Sequence, residues 1–140
     1  MSVNTMTQMW FFLQAYTFNS DGQERRVNHL NEWGGFSKRA GMPVFTGWYD
    51  LTSYDKEKKT NTALVSDSNW GSAIGVNNQE FWLRHAEENY DGIAAFFIIH
   101  AADKNASPRK VKYIDADAIF VGRIVREGTK AYIVGQRRAL

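Results

Sequence analysis

The chain has 140 residues, a hydrophobic content of 44% and a charged content of 23%, which is ordinary for one globular domain with a buried core. It has no cysteine, so disulfides, thiolate zinc sites and cysteine nucleophiles are excluded. The longest apolar run, residues 93–99, is far shorter than the ~20 residues that a membrane helix needs, and no signal peptide is visible. We therefore expect a single domain over residues 1–140, located in the cytoplasm and without membrane association.

The formal net charge of +2 is unevenly distributed along the chain. Residues 1–103 carry eight Lys and Arg against twelve Asp and Glu, whereas residues 104–140 carry nine against three. A basic C-terminal quarter indicates a surface that faces phosphates, although the same charges would also serve only to solvate the outer faces of the last strands. The predicted phosphate-binding residues are Arg109, Lys110, Lys112, Arg123, Arg126, Arg137 and Arg138.

The first third of the chain predicts one strand and one short helix. Residues 1–8 are polar, and we expect them to be frayed. Residues 9–18 are nearly continuous in apolar strand formers, which predicts a strand covered on both faces. Residues 23–33 predict a short helix with Asp21 as its cap, and residues 36–42 predict a basic loop.

The middle of the chain predicts a strand, an exposed loop and a second, shorter strand. Residues 43–49 begin with Pro, which a strand tolerates at its first position. Residues 50–61 form the most polar stretch, so we expect a hairpin tip or loop there. Residues 62–65 predict a strand that pairs back.

A glycine-containing turn then leads into the principal helix and the principal strand. The predicted helix covers residues 79–89 and is capped by Asn77 or Asn78. Several of its faces are apolar, so it packs deeply or borders a pocket. Residues 93–100 form the most apolar stretch and predict the central strand of the sheet.

The C-terminal part predicts three strands. Residues 110–114 form the first, and residues 118–126 and 130–137 alternate well enough to predict a hairpin joined by Glu-Gly-Thr. The expected fold class is α+β: a compact, mostly antiparallel, barrel-like sheet of five to seven strands with one or two flanking helices.

The sequence contains no motif that specifically indicates catalysis. Glu57-Lys58-Lys59 matches the Glu-x-Lys half of a metal-dependent nuclease core, with Asp50 as an upstream ligand, but its lysine-rich surroundings favour a solvated loop. Asp115 and Asp117 are typical of turn chemistry as well as of cation binding. We assign no catalytic residue, no metal and no cofactor.

The three histidines, His29, His85 and His100, have spacings that match no metal signature, and a structural role is the first interpretation for each. His100 follows the apolar strand and precedes Asp103, so a hydrolase that uses either residue is an alternative.

The aromatic residues give the stronger indication of a binding site. Trp33, Trp48, Tyr49, Trp70 and Trp82 lie at the ends of predicted elements or beside glycines, where flat rings can line a cleft. Such walls suit the stacking of a nucleobase, and two neighbouring asparagines could bond the polar edge of that base. We expect two of these five rings, and not all, to contact a ligand.

The order of these features resembles that of the EVE domains, which belong to the PUA-like group with the YTH and SRA-type readers. The similarity covers mainly residues 70–126. The residues that carry it are Trp10, Trp70 with Gly75-Val76-Asn77-Asn78, Leu83-Arg84, Asp91-Gly92, Phe96-Phe97-Ile98-Ile99-His100 and Val121-Gly122-Arg123-Ile124-Val125. The resemblance implies a PUA-like barrel that binds modified bases in DNA or RNA, with Trp70, Asn77, Asn78 and His100 around the base.

Together these observations predict a non-catalytic module that binds DNA or RNA through an aromatic pocket for a flipped, modified or unmodified base. The alternatives are a small metal-dependent nuclease or hydrolase, and an accessory or inhibitor protein that binds another protein. The predicted base pocket consists of Trp48, Tyr49, Trp70, Asn77, Asn78, Trp82 and His100.

Overall fold

The computed structural model describes residues 3–28 and 30–140. Within these residues the chain is α+β, with two helices and a ten-stranded, mostly antiparallel sheet. In chain order the elements are α1 (Met6–Phe12), β1 (Ala15–Phe18), β2 (Glu24–Arg26), β3 (Gly34–Ser37), β4 (Met42–Trp48), a 3-10 turn (Tyr49–Leu51), β5 (Thr52–Asp55), β6 (Thr60–Asp67), α2 (Ala73–Asn89), β7 (Ile93–Ala101), β8 (Val111–Ile114), β9 (Ala118–Glu127) and β10 (Lys130–Ala139).

Strand β7 lies at the centre of the sheet because it pairs with three other strands. It runs parallel to β4, antiparallel to β9 along its first half, and antiparallel to β8 near its end. The strand order is β2-β1-β3-β4-β7-β9-β10-β6-β5, with β8 beside β7 off this path. The prediction of a central strand over residues 93–100 is confirmed.

Both faces of β7 are covered, which explains its continuous apolar sequence. Successive side chains of a strand point to opposite faces, so alternate residues of β7 enter different cores. Phe97 packs in a cluster with Trp10 of α1, whereas Phe96 packs in a cluster with Trp82 of α2. Each helix therefore covers one face of the sheet, and burial of one such ring contributes roughly 1.5–3 kcal/mol.

The C-terminal hairpin and the middle strands also follow their sequence patterns. β9 and β10 pair in continuous register from Lys130↔Glu127 to Ala139↔Ala118. Ile119 lies in the α1-side core and Phe120 in the α2-side core, as the alternation predicts. Residues 43–49 fall within β4 apart from the last, and the polar stretch after them forms the exposed hairpin of β5 and β6.

The prediction of one strand over residues 9–18 is wrong in its first part. The chain instead starts with helix α1, which opens with a reciprocal capping box between Thr5 and Gln8. Met9 and Leu13 are buried on one face of this helix at a spacing of four residues. The chain then reverses at Gln14, whose φ is 52°, and only residues 15–18 extend into a strand.

Residues 23–28 and 30–33 do not form the expected helix, and residue 29 of that prediction lies outside the described residues. Three of them form strand β2 against β1, and Asp21 accepts a hydrogen bond from the Gln23 N–H in a turn instead of capping a helix. The predicted loop over residues 36–42 is also partly wrong, since β3 extends to Ser37 and β4 begins at Met42. Pairing with neighbouring strands, which local propensity does not reveal, decides both segments.

Helix α2 begins six residues earlier than predicted. Ser72 is its N-cap and its hydroxyl accepts a hydrogen bond from the Gly75 N–H, so neither Asn77 nor Asn78 caps the helix. The glycine that suggested a turn lies inside the first turns of the helix. Neither α1 nor α2 has the length and apolar character that a membrane crossing requires, and no other described segment forms such a helix.

The sheet is not closed into a barrel by hydrogen bonds, because β2 and β5 are the free ends of its strand order. It nevertheless bends back on itself. A Cβ placed on Gly47 of β4 would lie 3.0 Å from the Cβ of Ala63 in β6, although three strands separate β4 from β6 along the sheet.

Glycine 122 allows the closest approach in the sheet and provides a test of the fold. A Cβ on Gly122 of β9 would overlap the backbone carbonyl oxygen of Val134 in β10. We expect Gly122→Ala to lower the free energy of unfolding by about 3 kcal/mol, because two paired backbones must separate. Gly71→Ala is the matched control, since no atom lies within 4 Å of a Cβ there. Urea unfolding of both variants measures the difference, and equal stabilities would contradict this packing.

Candidate functional site

A cavity of about 680 Å³ lies between the start of α1, the end of β4 and the segment that enters β8. Its lining combines indole rings, cationic side chains and hydroxyl groups, and no carboxylate lines it among the described residues. The lining residues are Asn4, Thr5, Met6, Thr7, Leu30, Trp33, Thr46, Trp48, Ile99, Arg109, Lys110, Val111, Lys112 and Tyr113. We refer to it as the Trp33–Trp48 cavity.

Trp48 is the half-buried last residue of β4, and its ring forms one wall of the cavity. The guanidinium carbon of Arg109 lies 5.2 Å from the centre of this ring, within the range of a cation–π contact. Asp50 holds the same guanidinium through two hydrogen bonds of 2.7 and 2.8 Å. These bonds from Arg109 hold the pKa of the Asp50 carboxyl below its ordinary value. Arg109 is therefore fixed over one face of Trp48.

Trp33 is the second indole that lines the cavity, and helix α2 positions it. The Trp33 N–H donates to Asn78 Oδ1 at 2.9 Å, and its carbonyl accepts from the Thr46 N–H at 3.2 Å. A Cβ on Gly75 would lie 2.7 Å from a carbon of the Trp33 indole, so only glycine fits between helix and ring. The Trp70 ring meets that of Trp33 edge to face, at 5.9 Å between centroids. The sequence placed Trp33 in the aromatic set but not in the pocket.

The loop before Trp33 is held by a buried carboxylate. Glu32 accepts two hydrogen bonds of 2.7 Å from the Arg25 guanidinium and one of 2.8 Å from the Asn28 N–H. Burial raises the pKa of Glu32, but these three hydrogen bonds outweigh it and leave the pKa below its ordinary value. The pair between Arg25 and Glu32 thus anchors the segment that delivers the Trp33 ring to the cavity.

The two asparagines have different positions on α2. Asn78 is 8% exposed, and its amide bonds the N–H groups of Trp33 and Gly34 and the carbonyl of Gly34. Asn77 is exposed and does not line the cavity. Asn78 therefore acts on the cavity through Trp33, and its own amide does not reach the lumen.

His100 lies between two parallel tyrosine rings. The ring centroids are 4.1 Å from Tyr113 and 4.8 Å from Tyr49, with interplanar angles of 15° and 22°. His100 Nε2 lies 3.0 Å from Asp115 Oδ2. Tyr113 also lines the cavity, so this three-ring stack begins at the cavity edge. Tyr113 is a residue that the sequence reasoning missed, because only strand β8 pairing with β7 brings it beside His100.

Trp82 is a core residue. It is fully buried, and its indole N–H donates to Thr17 Oγ1 of β1 at 3.0 Å. Of the predicted pocket residues, Trp48 lines the cavity. Trp70 and Asn78 contact Trp33 without lining the cavity themselves. Tyr49 and His100 belong to the adjoining stack of rings. Trp82 and Asn77 do not contribute to the cavity lining.

The predicted phosphate-binding residues are divided between several surfaces. Arg109, Lys110 and Lys112 line the cavity. Arg123 donates to the Asp91 carbonyl at 3.3 Å. Arg137 and Arg138 lie at the end of β10, on opposite faces of that strand.

Arg126 is committed to helix α2. Its guanidinium bonds both carboxylate oxygens of Glu80 and both of Glu87, at 2.8–3.0 Å. The bonds to Glu87 and then to Glu80 raise the pKa of Arg126. Burial raises the pKa of Glu80, but the hydrogen bonds and charges of Arg126 and Arg84 outweigh this effect. The pKa of Glu80 is therefore below its ordinary value. This cation serves the fold rather than an open surface.

The residues of the nuclease alternative form no metal cluster in the described part of the chain. The N–H groups of Glu57 and Lys58 bond Asp55 in the tip of the β5–β6 hairpin, and Asp50 pairs with Arg109. Across residues 3–28 and 30–140, no three His, Asp or Glu side chains come together as a metal site requires.

His85 does not line the Trp33–Trp48 cavity. His85 lies on α2 among the rings of Phe36, Phe81, Trp82 and Tyr90. The interpretation of His29 falls outside the described residues.

Comparison with protein-family profiles gave no matching family, and comparisons with curated proteins and with solved structures gave no match. The resemblance to EVE domains therefore stays a hypothesis.

The Asn78 amide can be tested against its neighbour on the helix. Asn78→Ala leaves three backbone groups, two of them buried, without their partner, so we expect the free energy of unfolding to fall by about 3 kcal/mol. Asn77→Ala at the exposed adjacent position should change it by less than about 0.5 kcal/mol. Chemical denaturation followed by tryptophan fluorescence checks both. Equal effects of the two substitutions would refute the anchoring role.

The pair between Asp50 and Arg109 predicts a pH dependence. A carboxyl whose pKa is lowered by folding stabilises the protein above its unfolded-state pKa of about 4, and this contribution is lost as the pH falls further. We expect Asp50→Asn to be less stable than the wild type at pH 7, by up to about 1 kcal/mol. The gap should close on acidification below about pH 4. Thermal melts from pH 7 to pH 3 measure this, and a pH-independent gap would argue against the pair.

Proposed function

We propose that the chain is a non-catalytic nucleic-acid-binding module that takes a flipped base into the Trp33–Trp48 cavity. The observation that carries the proposal is the composition of this one cavity, where two indoles and three cationic side chains line the same space. Stacking of a nucleobase on an indole face contributes about 1–3 kcal/mol of binding free energy, whatever the base. Arginine and lysine side chains bind the phosphates.

The size and polarity of the cavity support this ligand class. Its volume of about 680 Å³ lies within the range of ordinary small-molecule sites, so a base that carries a substituent has room. The hydroxyl groups of Thr7 and Thr46 line it and can bond the polar edge of a base. Lys110 and Lys112 have no carboxylate partner among the described residues, and this leaves their charge for phosphates.

The proposal changes the roles of the residues named by the resemblance to EVE domains. Trp70 and Asn78 support Trp33 from behind, and His100 continues the ring surface through Tyr113. The approach of Gly47 to Ala63 is what a PUA-like barrel requires at its closing point, and it supports that finer assignment. The absence of cysteine fits a reducing compartment, so we place the module in the cytoplasm.

Two pairs of lysines provide the test. The double substitution Lys110→Ala and Lys112→Ala should weaken binding of single-stranded oligonucleotides about tenfold or more, since it removes two phosphate contacts. The logarithmic slope of affinity against salt should fall from about −1.4, for the two lysine contacts, to near zero, because Asp50 already neutralises Arg109. Fluorescence anisotropy with labelled DNA and RNA oligonucleotides over a range of salt concentrations measures both.

The matched control removes the same charge from another surface. Lys56→Ala with Lys58→Ala alters the exposed tip of the β5–β6 hairpin and should leave affinity and salt slope unchanged. If the two double variants weaken binding equally, the attraction is only general charge. If the wild type binds neither DNA nor RNA, the proposal fails.

A further inference from the structure

A second cavity, of about 250 Å³, lies at the opposite end of α1 from the Trp33–Trp48 cavity. The first cavity contacts Thr5 at the start of the helix, and the second contacts Phe12 at its end. At about 1.5 Å of rise per residue, these two helix positions lie roughly 10 Å apart. The second cavity is lined by Arg39, Arg138 and five residues with apolar side chains: Phe12, Ala40, Ile119, Ala139 and Leu140.

Arg39 is held in a fixed orientation by the end of α1. Its Nε donates to the Phe12 carbonyl at 2.6 Å, and its guanidinium carbon lies 4.4 Å from the centre of the Phe12 ring. The backbone N–H of Arg39 also donates to the Leu13 carbonyl at 3.3 Å. These contacts satisfy free carbonyls of the helix end, yet they use only one of the side-chain donor groups. The two terminal nitrogens, Nη1 and Nη2, are left for a ligand.

Arg138 enters the same cavity from the sheet. It lies opposite Ile119 in the β9–β10 register, and both residues line the cavity. Its neighbour Arg137 does not line it. Neither Arg39 nor Arg138 pairs with a carboxylate in the part of the chain that the structure describes. Two guanidinium groups at one cavity, neither in a salt bridge within the described residues, favour an oxyanion that accepts hydrogen bonds from both.

We propose that Arg39 and Arg138 form a second phosphate site, which takes a phosphodiester of the same strand whose base occupies the Trp33–Trp48 cavity. This inference rests on the proposed function. The two ends of α1 lie roughly 10 Å apart, so a single nucleotide does not occupy both cavities. The ligand is therefore a strand of several nucleotides, and a mononucleotide reaches only the first cavity.

Ligand length separates the two sites experimentally. Isothermal titration calorimetry measures the binding of thymidine monophosphate and tetrathymidylate. The uridine counterparts of both ligands serve for RNA. Arg138→Ala should weaken the tetranucleotides about tenfold, because one charge-assisted contact is lost, and should leave the mononucleotides unchanged. Arg137→Ala removes the same charge from the adjacent residue of β10 and should change neither. Arg39→Lys keeps the charge but loses the planar fork, so it should also weaken only the tetranucleotides.

The outcomes distinguish this inference from the proposal beneath it. If Arg138→Ala leaves the tetranucleotides unaffected, or matches Arg137→Ala, the second site is overturned while the first cavity stands. If the wild type binds no nucleotide of either length, the nucleic-acid proposal fails. The second site is then judged with inorganic pyrophosphate, by NMR of the arginine side-chain Nε–H signals. A shift at Arg39 that Arg138→Ala abolishes supports an oxyanion site, and no shift overturns it.

Discussion

The inward face of α2 is joined to the sheet by polar side chains, and the shape of the molecule depends on these bonds. Asn78, Gln79 and Trp82 are all buried, and each bonds a different strand. The contacts are Asn78 with Gly34 of β3, Gln79 with the Ser66 hydroxyl of β6, and Trp82 with Thr17 of β1. A buried polar group that loses its partner costs about 1–3 kcal/mol, so each contact specifies where the helix lies.

These three anchors explain the curvature of the sheet. Strands β1 and β3 lie near one end of the strand order and β6 lies near the other, with β4, β7, β9 and β10 between them. A single helix can bond both ends only if the sheet bends around it. The close approach of Gly47 to Ala63, and the absence of a side chain at Gly47, fit this requirement. The same helix sets the cavity, since Asn78 and Gly75 together fix where Trp33 lies.

The sequence patterns were reliable where one element carries its own signal. The apolar run of β7 and the alternating β9–β10 hairpin are local features, and the structure has both. The start of α1 also had a local signal, the Thr5-x-x-Gln8 capping box, which the apolar strand formers after it obscured. Trp33 could not be placed in this way, because the asparagine that holds its backbone is 45 residues away in the chain. Trp82 was equally ambiguous, because an aromatic residue on a helix can face either a core or a pocket. The structure shows that it faces the core, where its indole N–H bonds Thr17 of a distant strand.

The basic C-terminal quarter shows why a count of charges overstates a binding surface. Arg126 is occupied by Glu80 and Glu87, and Arg109 by Asp50, so these guanidinium groups are already neutralised by carboxylates. A cation in such a pair gains little from releasing its partner to meet a phosphate, since the bonds formed replace bonds lost. The cations without carboxylate partners within residues 3–28 and 30–140 include Lys110, Lys112 and, beyond the far end of α1, Arg138. Of these cations, Lys110 and Lys112 line the cavity at the start of α1, and Arg138 lines the cavity at its end. Arg109 acts differently, because its two hydrogen bonds to Asp50 hold its guanidinium over one face of the Trp48 ring.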